Sequence, residues 1–136
     1  MLATQVQGQH MLMVRTSHPF EKAMAILQQT LIEYGYQVAH VQRCDGGMAD
    51  FGYESDFYRV VFFGKLEEVR RLTENYPAIV PYLPLKLLVF AEQDETLLVA
   101  LNPQELTPYF EGRELRTQFR RWESDIRAIM AELASD

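Results

Sequence analysis

Apolar residues recur at two different spacings along the chain, and the spacings separate predicted helices from predicted strands. Residues 20–34 and 113–133 repeat apolar side chains every three or four positions, which predicts amphipathic helices. Residues 57–63 are rich in aromatic and β-branched side chains, which predicts a strand. The predicted order is strand 10–16, a helix from 17–19 to 34, strand 36–44, strand 57–63, helix 65–76, strand 85–90, strand 96–101, helix 104–110 and helix 113–133.

The ends and faces of the predicted helices follow from particular residues. Ser17 is a possible capping residue for the first helix, and Gly35 is placed to end it in a left-handed conformation. The apolar stripe of the first helix is Phe20, Ala23, Met24, Leu27, Leu31 and Tyr34. The stripe of the last helix is Leu115, Phe119, Trp122, Ile126, Ile129 or Met130, and Leu133. Prolines at 77, 81 and 84 allow at most a short helical turn between them.

The strands predict a mostly antiparallel sheet. Strands 85–90 and 96–101 are separated by a short polar link, which is the arrangement of a hairpin, and both are apolar enough to be central. In strand 36–44, simple alternation places Val38 and His40 on one face and Ala39 and Val41 on the other. The fold class is therefore α+β, with helices packed on one face of the sheet. The other face is left for water or for a second copy of the chain.

Length and composition predict one soluble domain. The chain has 136 residues, of which 48% are hydrophobic and 24% charged, so we expect a single domain over residues 1–136 with residues 1–9 as a flexible N-terminal segment. The start lacks the pattern of a signal peptide, and no stretch approaches the ~20 apolar residues of a membrane span. The single cysteine excludes an internal disulfide framework and favours a reducing compartment, so we expect the cytoplasm.

Charge and motifs narrow the possible partners. The formal net charge of -6 disfavours nucleic acid, and the arginines of residues 113–127 are interleaved with acidic side chains, as on a solvated helix face. Asp45, Asp50, Glu54 and Asp56 lack the order of a calcium loop. The three histidines form no metal-binding motif. We therefore predict no metal and no cofactor.

One set of residues is a candidate for ligand binding. Its members are Tyr53, Tyr58, Arg59, Tyr82, His40 and Cys44. Tyrosines with one guanidinium suit a pocket that is apolar in body and polar at a few points, although ordinary packing or a dimer seam would also explain them. His40 and Cys44 are about 13 Å apart along an extended strand, too far for a direct nucleophile–base pair. No catalytic residue is predicted.

The chain resembles a bacterial family, the domain of unknown function 302 proteins, from residue 11 to residue 133. The motifs that carry the resemblance are Thr-Ser-His-Pro-Phe-Glu at 16–21, Tyr-Gly-Tyr at 34–36, Tyr-Pro-Ala-Ile-Val-Pro-Tyr-Leu-Pro at 76–84 and Leu-Asn-Pro at 101–103. The resemblance implies a β-α-β4-α fold of the TATA-binding-protein-like class, often paired as a homodimer, without an established activity. Many members carry Leu-Pro-Cys where this chain has Leu83-Pro84-Leu85, so a role for that cysteine does not transfer.

Two functional hypotheses follow. The sequence favours a non-catalytic module that homodimerises and binds either a small molecule or a protein partner. The alternative is a redox or sulfur-metabolism accessory protein that uses Cys44, because members of the resembled family accompany sulfur-metabolism genes. A third interpretation is purely structural: the acidic surface and the sheet mediate assembly within a larger complex.

Overall fold

The structure is a computed structural model that describes residues 9–43 and 58–134. Its strands are β1 (Met11–Thr16), β2 (Gln37–Arg43), β3 (Tyr58–Gly64), β4 (Leu85–Glu92) and β5 (Glu95–Leu101). Its α-helices are α1 (Phe20–Glu33), α2 (Leu66–Asn75) and α3 (Arg113–Ala134). Two 3₁₀ helices, Pro77–Tyr82 and Pro103–Tyr109, follow α2 and β5. Within the described residues, no helix combines the length and the apolar character that crossing a membrane requires.

The five strands form one antiparallel sheet in the order β1-β5-β4-β3-β2. A tight turn joins β4 to β5, and Gln93 in that turn has a φ of 57°. The predicted α+β class and the hairpin are confirmed. The two strands predicted to be central, β4 and β5, lie inside the sheet. Their apolar runs are typical of strands that have neighbours on both sides. β1 and β2 form its two edges.

The helices cover one face of this sheet, which we call the covered face. Its strand residues in the core are Leu12, Val61, Phe63, Leu87, Val89, Leu98 and Ala100. The predicted stripes of α1 and α3 pack against them, and every stripe residue is buried except Tyr34, which is half-buried. Burying one large apolar side chain contributes roughly 1.5–3 kcal/mol. Because this layer buries many such side chains, it supplies most of the stability. The prediction that helices gather on one face is confirmed.

Two local details differ from the sequence predictions. A bulge between Val38 and His40 shifts the register of β2, so Val38 lies opposite Phe63 and His40 lies opposite Phe62. The extra residue places Val38 and His40 on different faces, whereas alternation without a bulge had put them together. The residue that caps α1 is Pro19, not Ser17; Pro19 is still extended, with φ −65° and ψ 162°, and makes no side-chain capping bond.

The predicted left-handed residue at the end of α1 is confirmed. Gly35 has a φ of +87°, a conformation that L side chains rarely adopt. This turn lets the amide of Tyr36 donate to the carbonyl of Leu31 at 2.9 Å, which satisfies one of the last carbonyls of the helix. The chain then enters β2 beneath the end of α2.

Candidate functional site

The face of the sheet opposite the helices is the candidate site, and we call it the open face. Cross-strand partners share a face, so the registers identify its residues. They are His40 and Gln42 of β2, Tyr58, Val60 and Phe62 of β3, Lys86, Leu88 and Phe90 of β4, Leu97, Val99 and Leu101 of β5, and Met11, Met13 and Arg15 of β1. None of them belongs to the buried core cluster.

The open face is apolar to an unusual degree. An antiparallel sheet with one solvated face ordinarily alternates apolar and polar residues. Here β5 reads Thr-Leu-Leu-Val-Ala between its ends, and all five residues are buried. Leu97 and Val99 on the open face are 7% exposed, while Met13 at its edge is 59% exposed. The apolar residues of this face are therefore buried at its centre and exposed at its margin, at Met11, Met13 and Leu101.

A groove runs from this face around one end of the sheet. We call it the sheet-end groove; its volume of 460 Å³ lies within the roughly 300–1,000 Å³ of small-ligand sites. Phe62, Leu88 and Val99 form its floor, the 3₁₀ helix ending at Tyr82 forms one wall, and Ile126 of α3 reaches its far end. The arrangement offers an apolar body with few polar groups. Such a site suits recognition of a small molecule.

Lys86 and Tyr82 are the polar side chains of interest in the groove. Lys86 lies directly opposite Phe62 in the strand register. The ring of Tyr82 packs edge-on against Phe110, with ring centroids 5.8 Å apart. This packing holds one edge of the ring against Phe110. Tyr82 as a whole residue is 44% exposed.

The structure separates the residues predicted to bind a ligand. His40 lies on the open face, where its ring stacks on Phe62 at 6.1 Å and its Nε2 is 3.0 Å from Oε1 of Gln42. Tyr58 shares that face but lies about 13 Å along β3 from Phe62. Arg59 points to the covered face, where its guanidinium lies 5.2 Å from the ring centroid of Phe20.

The remaining members of the predicted set divide between the groove and the part of the chain outside the described residues. Tyr82 lines the sheet-end groove, close to the Phe62 side chain on which His40 stacks. Tyr53 and Cys44 lie outside the described residues, as do the four acidic residues considered for calcium. A ligand role for the set stays a prediction, as does the redox alternative, which depends on Cys44.

Sequence reasoning missed Lys86, Phe62, Leu88 and Val99. A signal for them was present, because strands 85–90 and 96–101 are continuous apolar runs rather than alternating ones. Continuous runs are typical of strands that are buried on both faces. Lys86 interrupts such a run, and a cation within an apolar strand is the kind of residue that marks a functional surface.

A polar cluster on the helix side holds the elements together. The hydroxyl of Tyr36 donates to Asp125 at 2.6 Å, and Nε1 of Trp122 donates to Glu68 at 2.9 Å. Arg121 also contacts Glu68 at 3.3 Å. Burial, with the hydrogen bond to the Asp125 carboxylate second, raises the pKa of Tyr36 well above its ordinary value. The cluster links β2, α2 and α3 and keeps Tyr36 protonated.

A second polar cluster is centred on Glu123 of α3. Its carboxylate accepts hydrogen bonds from Gln104 at 2.6 Å, Arg127 at 2.9 Å and Asn102 at 3.1 Å. Burial opposes ionisation, yet these donors outweigh it and lower the pKa of Glu123 below its ordinary value. Asn102 and Arg127 also bind Gln9, at 2.9 and 3.0 Å. The cluster therefore fastens the start of β1 to α3.

Comparisons with known proteins agree with this fold. A solved structure, the uncharacterized conserved protein DUF302 from Bacillus stearothermophilus, superposes with a TM-score of 0.81 over 93% of this chain and 99% of that chain, at 16% identity. At that identity the likeness shows the fold alone. No curated protein matches the chain. The family model described as "Domain of unknown function DUF302" matches residues 12–133. The chain therefore belongs to the DUF302 family.

Proposed function

We propose that the protein is a non-catalytic binding module that homodimerises through the open face of its sheet. One observation carries the proposal: the sheet is apolar on both faces, and on the open face Met11, Met13 and Leu101 expose a contiguous apolar margin. A large exposed apolar patch on a folded chain is typical of an interaction surface. A second copy, docked by a two-fold axis, would supply the missing layer with an identical apolar face.

The size of the open face supports a dimer. Strand spacing of about 4.8 Å and a rise of about 3.3 Å per residue give five strands a face of about 500 Å². Two copies have a combined geometric footprint of about 1,000 Å², the lower bound of a specific protein interface, to which the buried Leu97 and Val99 contribute little accessible area. The edges of the face carry Met11, Met13 and Leu101, which are 40, 59 and 49% exposed and gain most from being covered.

The titratable residues with shifted pKa values support a binding role over a catalytic one. Perturbed groups mark active sites when they gather in a cleft. Two of the groups with shifted pKa values are tyrosines that donate to carboxylates of the last helix. The hydroxyl of Tyr34 donates to Glu132 at 2.9 Å, and that of Tyr76 donates to Glu114 at 2.6 Å. The side-chain hydrogen bond is the first cause of the raised pKa of each tyrosine. These groups join helices and loops and do not line the sheet-end groove.

Sedimentation equilibrium of matched variants tests the dimer. Met13 on the open face and Ile32 on α1 are large apolar residues with nearly equal exposure, 59 and 58%. We expect the wild-type chain to be a dimer at micromolar concentration and Met13→Glu to be a monomer, because two-fold symmetry brings like charges into a desolvated seam. Ile32→Glu should stay dimeric. A monomeric wild type, or equal behaviour of the two variants, would refute the proposal.

A small-ligand role is the second candidate. The sheet-end groove favours it, since its 460 Å³ volume is typical of small-molecule sites and its lining joins the sheet to Ile126 of α3. The two roles are compatible, because the groove begins on the open face and continues past its end. Native mass spectrometry of the protein purified from its own host would report the stoichiometry and any retained molecule together.

A further inference from the structure

The sheet-end groove combines an apolar body with one cation. Its described lining consists of aliphatic, aromatic and proline side chains and of Lys86, the one charged residue among them. No carboxylate from residues 9–43 or 58–134 lines it. An uncharged apolar ligand would fill the body but leave the ammonium without a counter-charge. A ligand with an anionic end would match both parts.

Lys86 is an exposed cation without an ion pair, as are Lys22, Arg113 and Arg116 in the described residues; of these four, Lys86 alone lines the groove. Arg15, Arg70, Arg71, Arg121 and Arg127 each form an ion pair with a glutamate. Lys86 forms no ion pair and no side-chain hydrogen bond with any residue in 9–43 or 58–134. Its charge is therefore available to a ligand, and the Tyr82 hydroxyl on the same groove is a second donor with no hydrogen-bond partner in those ranges.

We infer that the sheet-end groove binds a small amphipathic anion, that is, an aliphatic or aromatic body with a single carboxylate. The inference rests on the ligand-binding role proposed above and names its ligand class. The body lies along Phe62, Leu88 and Val99, and the carboxylate accepts from the ammonium of Lys86 and from the hydroxyl of Tyr82. The overall charge of -6 does not prevent this, because salt screens distant charges beyond about 8–10 Å.

Titration calorimetry with three probes of one chain length tests the inference: octanoate, octanol and octylamine. The wild-type chain should prefer octanoate to octanol about fivefold, the size expected of one partly exposed ion pair, and should bind octylamine most weakly. Lys86→Met should lose the preference for octanoate while keeping its affinity for octanol. Lys22→Met, which removes an exposed lysine of α1 outside the groove, should retain the preference.

The possible outcomes separate this inference from the dimer. No binding of octanoate, equal binding of octanoate and octanol, or a preference that survives in Lys86→Met would overturn the inference. Sedimentation of the same samples reports the dimer independently. A dimer without octanoate binding would refute the ligand class alone, whereas a monomer that prefers octanoate would refute only the dimer. Loss of the preference in Lys22→Met would show a general charge effect and would also overturn the inference.

Discussion

The two faces of β5 have the same apolar character but different surroundings. Leu98 and Ala100 on the covered face pack against helices of the same chain and are fully buried. Leu97 and Val99 on the open face are nearly as buried, yet they lie outside the core cluster. Hydrophobicity along the strand alone therefore does not distinguish the face that belongs to the core cluster from the face that does not. The difference lies in which elements supply the second layer.

Polar residues on the two sides repeat the contrast. On the helix side Tyr36, Trp122 and Glu123 all have hydrogen-bond partners within the chain. In the sheet-end groove Lys86 and Tyr82 have none among the described residues. Buried polar groups are ordinarily paired, and the three on the helix side follow that rule, whereas Oγ1 of Thr107 and Nε2 of Gln118 are buried without a partner among the described residues. On the open side, Lys86 and Tyr82 are donors without a partner among the described residues.

The largest expected effect comes from truncating neighbouring leucines of β5. Leu98→Ala should lower the free energy of unfolding by about 2–5 kcal/mol, because it leaves an enclosed cavity under the helices. Leu97→Ala should cost less, about 1 kcal/mol in the dilute chain, because Leu97 lies outside the core cluster under the helices. Urea unfolding measures both values.

Protein concentration sharpens this comparison. If a second copy covers the open face, the loss for Leu97→Ala grows with protein concentration, because dimerisation stabilises the folded state by mass action. The loss for Leu98→Ala should not change. Equal and concentration-independent losses would mean that the chain itself covers both faces.

The sequence predicted the covered layer well because helix periodicity encodes which face is buried. The stripes of α1 and α3, the end of α1 at Gly35 and the β4–β5 hairpin were all predicted from local patterns. The bulge in β2 was not, since the extra residue at Ala39 leaves no local mark and reverses the faces of the residues before it. Capping by Pro19 was missed because proline can precede a helix as well as begin it.

The candidate site was less predictable because it joins residues distant in sequence. Tyr82 was selected for its residue type, but its neighbours Phe62, Lys86 and Val99 belong to three different strands. Tyr58 and Arg59 are adjacent in sequence yet lie on opposite faces, as pleating requires. A set chosen by type alone could not show which members meet.

The next effect tests the polar network on the helix side. Tyr36→Phe should lower the free energy of unfolding by about 1–2 kcal/mol near neutral pH, because Asp125 loses its donor. The raised pKa means that Tyr36 stabilises the fold below about pH 10, where an unfolded tyrosine ionises, and that this contribution is lost as pH rises further. The wild type should therefore lose stability more steeply above that pH than Tyr36→Phe.

Tyr109→Phe is the matched control for that pH series. Tyr109 is 73% exposed, so removing its hydroxyl should leave both the neutral stability and the alkaline slope close to those of the wild type. Urea unfolding on either side of pH 10 gives both quantities. An alkaline slope shared by the wild type and Tyr36→Phe would show that Tyr36 does not stabilise the protonated fold.

The smallest effects compare one ion pair from each side of the sheet. Arg15 contacts Glu92 at 2.8 Å on the open side, where both side chains are about half exposed, so Arg15→Met should cost less than about 0.5 kcal/mol and less still in high salt. Arg127→Met should cost about 1 kcal/mol, because its partner Glu123 is 14% exposed and loses a charge-assisted donor.

Acid unfolding separates the two ion pairs further. The lowered pKa of Glu123 stabilises the fold above about pH 4.3, the value for an unfolded glutamate, and this contribution is lost as pH falls below it. Removing Arg127 weakens the lowering, so Arg127→Met should lose less stability than the wild type over that acid range. Arg15→Met should follow the wild type closely there. If instead the two variants behaved alike, the ion pair on the helix side would stabilise the fold no more than the ion pair on the open side. The difference between the covered face and the open face would then rest on apolar packing alone.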